Sequence, residues 1–193
     1  MHIVLATHNE GKVNEFRSAL APFNVEITSA GEMGLTEPEE TSDTFTGNAL
    51  LKARHAYHNS GKPSLADDSG LAVTALNGDP GIYSARWAGP DKDFNKAMRR
   101  VRDELSSHND TSAAFICVLA FMDFGGKEHI FKGQVEGKIV WPPRGEKGFG
   151  YDPIFEPHET PGKTFAELSA DQKHALSHRG LALNAFIADI LAG

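Results

Sequence analysis

The chain has 193 residues, enough for one domain with a substantial core. Hydrophobic residues make up 40% of it and charged residues 23%, which is ordinary for a soluble globular protein. The formal net charge of −7 argues against a surface that binds nucleic-acid polymers, because such surfaces carry a broad basic footprint. A small phosphorylated ligand stays compatible with this charge, since it needs only a few local cations.

The sequence shows no feature of an exported or membrane protein. Residues 1–6 have no basic region ahead of their apolar residues, so no signal peptide is predicted. No apolar run is long enough to cross a bilayer. Cys117 lies in an apolar run and is predicted to be a core residue. We therefore expect a cytoplasmic protein that does not bind membranes.

The first predicted elements are a buried strand over residues 3–6, a loop over 7–12 and a helix with one apolar face. This arrangement directs the free backbone N–H groups of the helix start at an anion. Asn9 is suited to cap the helix, and Lys12 adds a positive charge. The loop is not a Walker A loop, because its first glycine and the Ser/Thr after the lysine are missing. It is either a phosphate-binding loop or an ordinary capped connection.

A second strand is predicted over residues 25–28, followed by an acidic segment over 37–43. This segment is either a solvated loop ending in a helix cap or a supply of metal ligands. A helix over about 45–59 comes next, and Gly61 stops it. Lys52 on that helix is either a surface residue or a residue that reaches a ligand cleft.

The stretch over residues 64–73 contains two adjacent carboxylates, Asp67 and Asp68, between apolar residues. Because unpaired carboxylates are costly to bury, this pair is predicted to lie where a strand ends and a cleft begins. In extended backbone the two side chains point to opposite faces, so one can meet a ligand while the scaffold holds the other. The stretch is either a site for a hard divalent cation or a polar turn.

The second half of the chain alternates between helical and strand patterns. Residues 82–89 are mixed and are not assigned. The basic residues of the following helix are predicted to be its solvated face. Sequential long strands suggest an antiparallel portion, so the sheet is expected to be mixed. The predicted elements are a turn over 76–81, a helix over 93–105, a strand over 113–122, a hairpin turn over 123–127 and one or two strands over 128–140.

The loop over residues 141–153 carries aromatic residues among glycines. Phe149 could stack on a planar ring while Asp152 accepts hydrogen bonds from it, or the aromatic residues could simply attach the loop to the core. Further on, a helical segment carries Lys173, and His178 and Arg179 lead into the last helix. These two side chains are suited to an anionic or carbonyl-bearing ligand, although such a pair is often only surface.

Taken together, these segments resemble the inosine triphosphate pyrophosphatase family, which acts on non-canonical purine nucleoside triphosphates. The matching segments extend over nearly the whole chain, in the order found in the family. One departure is Ser42, where the family commonly has glycine. The segments are residues 6–12, 39–41, 44–45, 48–53, 66–71, 80–86, 148–153 and 177–180.

The resemblance implies one domain over residues 1–193, with an elongated α/β fold. Its central mixed sheet is flanked by helices, and an active cleft lies between two lobes. It implies Mg²⁺-dependent hydrolysis of a nucleoside triphosphate to the monophosphate and pyrophosphate. The implied substrates are dITP, ITP and XTP, so that the enzyme cleanses the nucleotide pool. The implied assembly is a homodimer.

The resemblance also assigns roles to particular residues. Asp68 would be the catalytic base and a metal ligand, together with Glu39; the departure at Ser42 leaves open whether Glu39 or Glu40 meets the metal. The phosphates would be held by the loop from Thr7 to Lys12, with help from Ser69. The remaining residues would hold the base and sugar. The substrate-binding residues are thus Thr7, His8, Asn9, Glu10, Gly11, Lys12, Ser69, Phe149, Gly150, Tyr151, Asp152, Lys173, His178 and Arg179.

Two other functions are weighed against this one. A related septum-inhibitor-like family acts on pyrimidine triphosphates, but the segments at 148–152 and 177–179 argue against it. A non-catalytic nucleotide-binding module has little need for so many carboxylates opposite a polyanion. Phosphoryl-type displacement, by contrast, needs positioning, charge neutralisation and an oriented nucleophile, which these residue types provide.

Overall fold

A computed structural model of the chain describes residues 1–192. It contains a six-stranded sheet in the order β2-β1-β3-β4-β5-β6. β1 pairs in parallel with β2 and β3, whereas β5 and β6 are antiparallel, so the predicted mixed sheet is confirmed. The strands are β1 (His2–Leu5), β2 (Glu26–Ser29), β3 (Ser64–Val73), β4 (Ser112–Met122), β5 (Glu128–Ile139) and β6 (Phe155–Pro157).

The helices agree closely with the periodic segments of the sequence. Asn9 caps the first helix by accepting a hydrogen bond from the Lys12 backbone N–H. Within residues 1–192, no helix is long and apolar enough to cross a membrane. The helices are α1 (Glu10–Leu20), α2 (Phe45–Ser60), α3 (Ser84–Trp87), α4 (Phe94–Leu105), α5 (Ala170–Leu176) and α6 (His178–Phe186), and a π-helical turn follows at Ile187–Leu191.

The described residues divide into two compact units. The first unit contains residues 1–68, 118–132 and the C-terminal residues from 182 onward. Its core includes the apolar face of α1 and the alanine face of α2, where Ala49 and Ala53 are fully buried. Small side chains on that face let the helix backbone lie close to its neighbours, and the Ser64 hydroxyl donates a hydrogen bond to the Ala53 carbonyl.

The second unit contains residues 69–117 and 133–181. Its core is built on the apolar face of α4 and on three phenylalanines. The ring centroids of Phe115 and Phe155 are 4.6 Å apart, and those of Phe155 and Phe165 are 5.2 Å apart. The first pair packs edge-to-face and the second is tilted, and aromatic packing of this kind adds to the stabilisation from burial alone. The basic residues of α4 are exposed, as predicted.

The structure corrects two predictions and adds one element. β3 does not end at Asp67 and Asp68 but continues to Val73, because both carboxylates have lysine partners and need no exposure to water. The added element is the short strand β6. The apolar residues at the C-terminal end of the chain are predicted to pack inward; Leu183 and Phe186 are fully buried, but Ile187, Ile190 and Leu191 are only half-buried.

Candidate active site

Asp67 is held by Lys12 in the first unit. The Lys12 ammonium donates to both carboxylate oxygens of Asp67, at 2.8 and 2.9 Å. Asp67 is only 2% exposed, so its charge depends on this partner. The contact joins the first turn of α1 to the middle of β3. Asp67 therefore fits the role of a carboxylate held by the scaffold.

The neighbouring carboxylate, Asp68, has a different environment. It is also buried, and its Oδ1 lies 3.5 Å from the Lys52 ammonium, while its Oδ2 is buried without a hydrogen-bond partner. Burial raises the pKa of Asp68 to about 6; Lys52 opposes this rise, and Glu40 and Asp67 add to it. A buried oxygen without a protein donor is available to a cation or a water molecule. Of the two carboxylates, Asp68 is thus the one with an oxygen that no protein donor contacts.

Lys52 lies between Asp68 and Glu40. Its ammonium is 2.7 Å from Glu40 Oε1, and only 7% of the residue is exposed. Burial alone would lower the pKa of Lys52, but Asp67, Asp68 and Glu40 raise it above its ordinary value. Lys52 therefore stays charged. We call Lys12, Glu40, Lys52, Asp67 and Asp68 the carboxylate–lysine cluster.

The structure brings Glu40 to this cluster and does not bring Glu39. Glu39 is exposed and has no hydrogen bond or ion pair within residues 1–192. Glu40 is half-buried against Lys52. The two residues follow one another in a loop, so their side chains diverge. Of the two candidates for a second metal ligand, Glu40 is the one that lies with Asp68.

The loop from Thr7 to Lys12 is ordered by its own side chains. The Asn9 backbone N–H donates to the Thr7 hydroxyl at 3.2 Å, and Asn9 caps α1. The His8 imidazole is directed elsewhere, because its Nε2 lies 2.8 Å from the Leu35 carbonyl. Glu10 and Gly11 are exposed in the first turn of α1. The geometry is thus suited to an anion at the helix start, with His8 as a loop contact.

The raised pKa of Asp68 predicts a pH-dependent stability effect. The folded state holds the Asp68 proton more tightly than the unfolded state does, so the wild-type protein loses stability as the pH rises from about 4 to about 6. Asp68→Asn removes this penalty. We expect the variant to gain roughly 2–3 kcal/mol over wild type at pH 8 and little at pH 4. Urea unfolding in EDTA-containing buffer measures the free energy of unfolding of both proteins at pH 4 and pH 8. A stability difference between them that does not vary with pH would contradict the raised pKa of Asp68.

A second group of predicted residues lies in the second unit, around Phe149. This ring is 54% exposed, whereas Asp152 is 2% exposed and accepts from the Phe149 backbone N–H at 2.8 Å and from the Lys173 ammonium. Burial raises the pKa of the Asp152 carboxyl, and Lys173 opposes the rise. Gly148 has φ +74°, and a Cβ there would lie 2.1 Å from an Asp152 oxygen, so only glycine fits.

Two cationic side chains lie over the Phe149 ring. The Lys173 ammonium lies 4.5 Å and the Arg179 guanidinium carbon 5.7 Å from its centroid. His178 is buried and stacks on Phe115, with centroids 4.8 Å apart and an angle of 9° between the rings. An exposed aromatic face beside cationic donors is suited to a planar ring that carries carbonyl oxygens.

Tyr151 and Gly150 differ from the other residues of this loop. Tyr151 is 2% exposed, and its hydroxyl donates to the Ser84 carbonyl at 2.8 Å. Burial raises the pKa of this phenol. Tyr151 therefore attaches the loop to the core, which is one of the two alternatives that the sequence left open for the aromatic residues. Phe149 remains open to a ligand. Gly150, which precedes Tyr151, has a positive φ of 68°.

The carboxylate–lysine cluster supplies two carboxylates to a divalent cation, which is fewer ligands than a complete coordination shell. Within the described residues, no group of three or more His, Cys, Asp or Glu side chains is arranged to hold a metal ion. Asp68, with its unpartnered Oδ2, and Glu40 are two carboxylates. Mg²⁺ is commonly bound by one or two carboxylates, with water and substrate phosphate completing the shell. The residues present fit an ion of that kind.

The sequence left two contributors open and missed two others. It left open whether Glu39 or Glu40 is the metal ligand and whether Lys52 reaches the cleft, and it did not connect Ser84 or Phe115 with function. A lysine one helical turn after Asn48, on the helix that leads into β3, was the only signal for Lys52. No pattern in the sequence indicated the contacts of Ser84 and Phe115.

Comparison with known proteins identifies a family and close relatives of this chain. The family model of the Ham1 family matches residues 3–189. A relative from Gluconobacter oxydans, named dITP/XTP pyrophosphatase, is 51% identical over 185 residues, covering 96% of this chain and 88% of its own. One of the same name from Caulobacter vibrioides is 53% identical over 182 residues, covering 93% of each chain.

Solved structures show the same fold. A HAM1 protein from Coxiella burnetii superposes with a TM-score of 0.91 at 39% identity, covering 100% of both chains. The Ham1 protein of Staphylococcus aureus gives a TM-score of 0.87 at 40% identity, covering 97% of both chains. The α/β class and the mixed sheet flanked by helices are thereby confirmed.

Proposed function

The chain belongs to the Ham1 family, and from that premise we propose that it is a nucleoside triphosphate pyrophosphatase for non-canonical purine nucleotides. It hydrolyses dITP, ITP and XTP to the monophosphate and pyrophosphate, and so removes these nucleotides from the pool. The names of relatives about 50% identical to the chain support this assignment, as does the family resemblance of its motifs.

One structural observation supports the chemistry most directly. Asp68 has a buried oxygen without a hydrogen-bond partner, next to a second carboxylate and a charged lysine. A binding module for a polyanion would gain nothing from such a carboxylate. A hydrolase needs one to accept the proton of the attacking water.

We assign the following roles to the residues of the first unit. Asp68 and Glu40 hold Mg²⁺, and Asp68 is also the base that orients and deprotonates the attacking water. When bound, Mg²⁺ would neutralise phosphate charge and make water more acidic. Lys12, Lys52 and the N-terminus of α1 offset the charge of the triphosphate. Attack at the α-phosphorus makes pyrophosphate the leaving group.

The remaining predicted residues are proposed to bind the nucleoside and to assist at the phosphates. The base stacks on Phe149, and the cationic donors Lys173 and Arg179 are suited to its carbonyl oxygens. A site that donates to a 6-oxo group discriminates against adenine, because its buried donors would face an amino group. Asp152, Gly150 and His178 complete this side, with Tyr151 contributing as an anchor. Thr7, Asn9, Glu10, Gly11 and Ser69 complete the phosphate side.

A substrate panel tests the proposed function. The protein is incubated with Mg²⁺ and, separately, with dITP, XTP, GTP, dTTP and UTP, and the products are identified by phosphorus NMR. We expect pyrophosphate and monophosphate from dITP and XTP. Cleavage of the pyrimidine nucleotides instead would favour the related pyrimidine family. Binding without turnover would show a nucleotide-binding module.

The choice between Glu39 and Glu40 gives a matched pair of variants. Glu40→Gln is expected to raise the Mg²⁺ concentration for half-maximal activity by about tenfold or more, since a metal ligand is lost. Glu39→Gln should change it by less than about twofold, because this side chain is exposed and removing a surface charge has little effect. Magnesium titration of dITP hydrolysis measures both. The reverse ranking would restore Glu39 as the ligand.

Three wider properties are part of the proposal. Residues 1–193 would form one domain, which the match of the family model over residues 3–189 supports. The protein would act as a homodimer, as its family resemblance implies. It would work in the cytoplasm, where its nucleotide substrates are found.

A further inference from the structure

The segment Asp79–Ser84 runs along the second half of β3 and contacts it through Asp79, Pro80 and Ser84. The Val73 backbone N–H donates to the Asp79 carbonyl at 3.1 Å, and Pro80 forms a β-bridge with Ala72. The Leu71 backbone N–H then donates to the Ser84 hydroxyl at 2.9 Å. The segment is therefore fixed to the strand along its length, and Ser84 is its last contact.

Ser84 is a buried serine whose hydroxyl makes two hydrogen bonds to backbone. It is 6% exposed, and its hydroxyl accepts from Leu71 and donates to the Gly81 carbonyl at 2.7 Å. The fit is close, because a Cβ at Gly70 would lie 2.2 Å from the Gly81 carbonyl oxygen and 2.6 Å from the Ser84 hydroxyl oxygen. The glycine after Ser69 is therefore required by the close approach of the Gly81 carbonyl and the Ser84 hydroxyl, apart from any contact with a ligand.

The backbone carbonyl of Ser84 has a second partner. It accepts the buried hydroxyl of Tyr151 at 2.8 Å, and the Tyr151 ring packs edge-on against Phe94 with centroids 5.5 Å apart. Tyr151 lies between Phe149 and Asp152, the two residues proposed to meet the base. Ser84 thus contacts β3 through its hydroxyl and the loop 148–152 through its carbonyl.

From this geometry, we propose that Ser84 is a positioning residue that holds the base-binding loop 148–152 in register with the strand that carries Ser69. This inference rests on the proposed function and deepens it. Ser84 does not touch the substrate. It aligns the loop through Tyr151, so that the selectivity for the base depends on a serine outside the base site.

The test uses Ser84→Ala and Tyr151→Phe, which remove hydrogen bonds on the two sides of Ser84. The matched controls are Ser106→Ala and Tyr57→Phe. In the wild-type protein the Ser106 hydroxyl donates to the Asp103 carbonyl at an exposed helix end, and the Tyr57 hydroxyl contacts the exposed Phe124 carbonyl. For each protein, kcat/KM is measured with dITP and with dATP. Both Ser84→Ala and Tyr151→Phe should lower the dITP-to-dATP ratio by about tenfold, because a small misplacement of binding groups is costly. The controls should leave the ratio unchanged.

The dITP-to-dATP ratio of kcat/KM distinguishes a positioning role of Ser84 from a merely structural one. A variant that is only less stable loses activity on both substrates equally, and that result, or an unchanged ratio, would overturn the inference. Hydrogen–deuterium exchange of a peptide covering 148–152 provides an independent readout, which should rise in Ser84→Ala and not in Ser106→Ala. If Ser84→Ala does not fold, Tyr151→Phe carries the test alone. A wild-type protein that releases no pyrophosphate from dITP would refute the proposed function itself, whatever the exchange data show.

Discussion

Replacing Asp68 by Asn is expected to lower kcat for dITP by about 1,000-fold or more, because it removes the general base. The amide also cannot serve as the anionic metal ligand. Since Asn has nearly the same shape and needs no charge partner, the fold should persist, and at pH 8 its stability should rise. Steady-state kinetics with saturating Mg²⁺, together with a thermal melt, measure both effects.

A suitable control for Asp68→Asn is Asp103→Asn, a change on the exposed face of α4. It should leave kcat and stability close to those of wild type. Normal turnover in Asp68→Asn would eliminate the proposed base. Lost turnover together with lost secondary structure would instead place Asp68 among the structural residues.

Replacing Lys12 by Met should damage both stability and activity. Asp67 would stay buried but lose the ammonium that donates to both of its oxygens, and removing one partner of a buried ion pair typically costs about 3–5 kcal/mol of folding free energy. The triphosphate would also lose a cation, and we expect kcat/KM to fall by about 100-fold or more, as for the loss of an electrostatic stabiliser. Chemical unfolding and steady-state kinetics separate the two losses.

The double variant Lys12→Met/Asp67→Asn distinguishes the two roles of Lys12. Removing the Asp67 charge should restore most of the stability, since the buried carboxylate that Lys12 neutralised is then absent. It should not restore activity. Lys96→Met, at an exposed position on α4, is the matched control for loss of a lysine. If the double variant recovered activity with its stability, the role of Lys12 would be structural alone.

The periodic elements could be predicted from the sequence because their signals are local. The helix predicted over 93–105 is α4 (Phe94–Leu105), and the one over about 45–59 is α2 (Phe45–Ser60). The cap at Asn9 follows from its side chain and its place before an apolar repeat. The motifs at residues 6–12 and 148–153 were likewise contiguous stretches.

The features that sequence reasoning missed depend on partners far apart in the chain. β3 was expected to end at its carboxylates because unpaired charges are costly, but Lys12 pairs with Asp67 across 55 residues. The conformation of an acidic loop decides whether Glu39 or Glu40 turns inward, and composition does not determine it. Ser84 lies in a segment without periodicity, and its hydroxyl contacts only backbone.

The site of water attack is the most direct test of the proposed chemistry. Hydrolysis of dITP is carried out in water enriched in ¹⁸O, and the products are analysed by mass spectrometry. Attack at the α-phosphorus predicts that the label enters the deoxyinosine monophosphate and that the pyrophosphate stays unlabelled. Label in the pyrophosphate, or release of single phosphates, would contradict attack at the α-phosphorus and with it the proposed reaction.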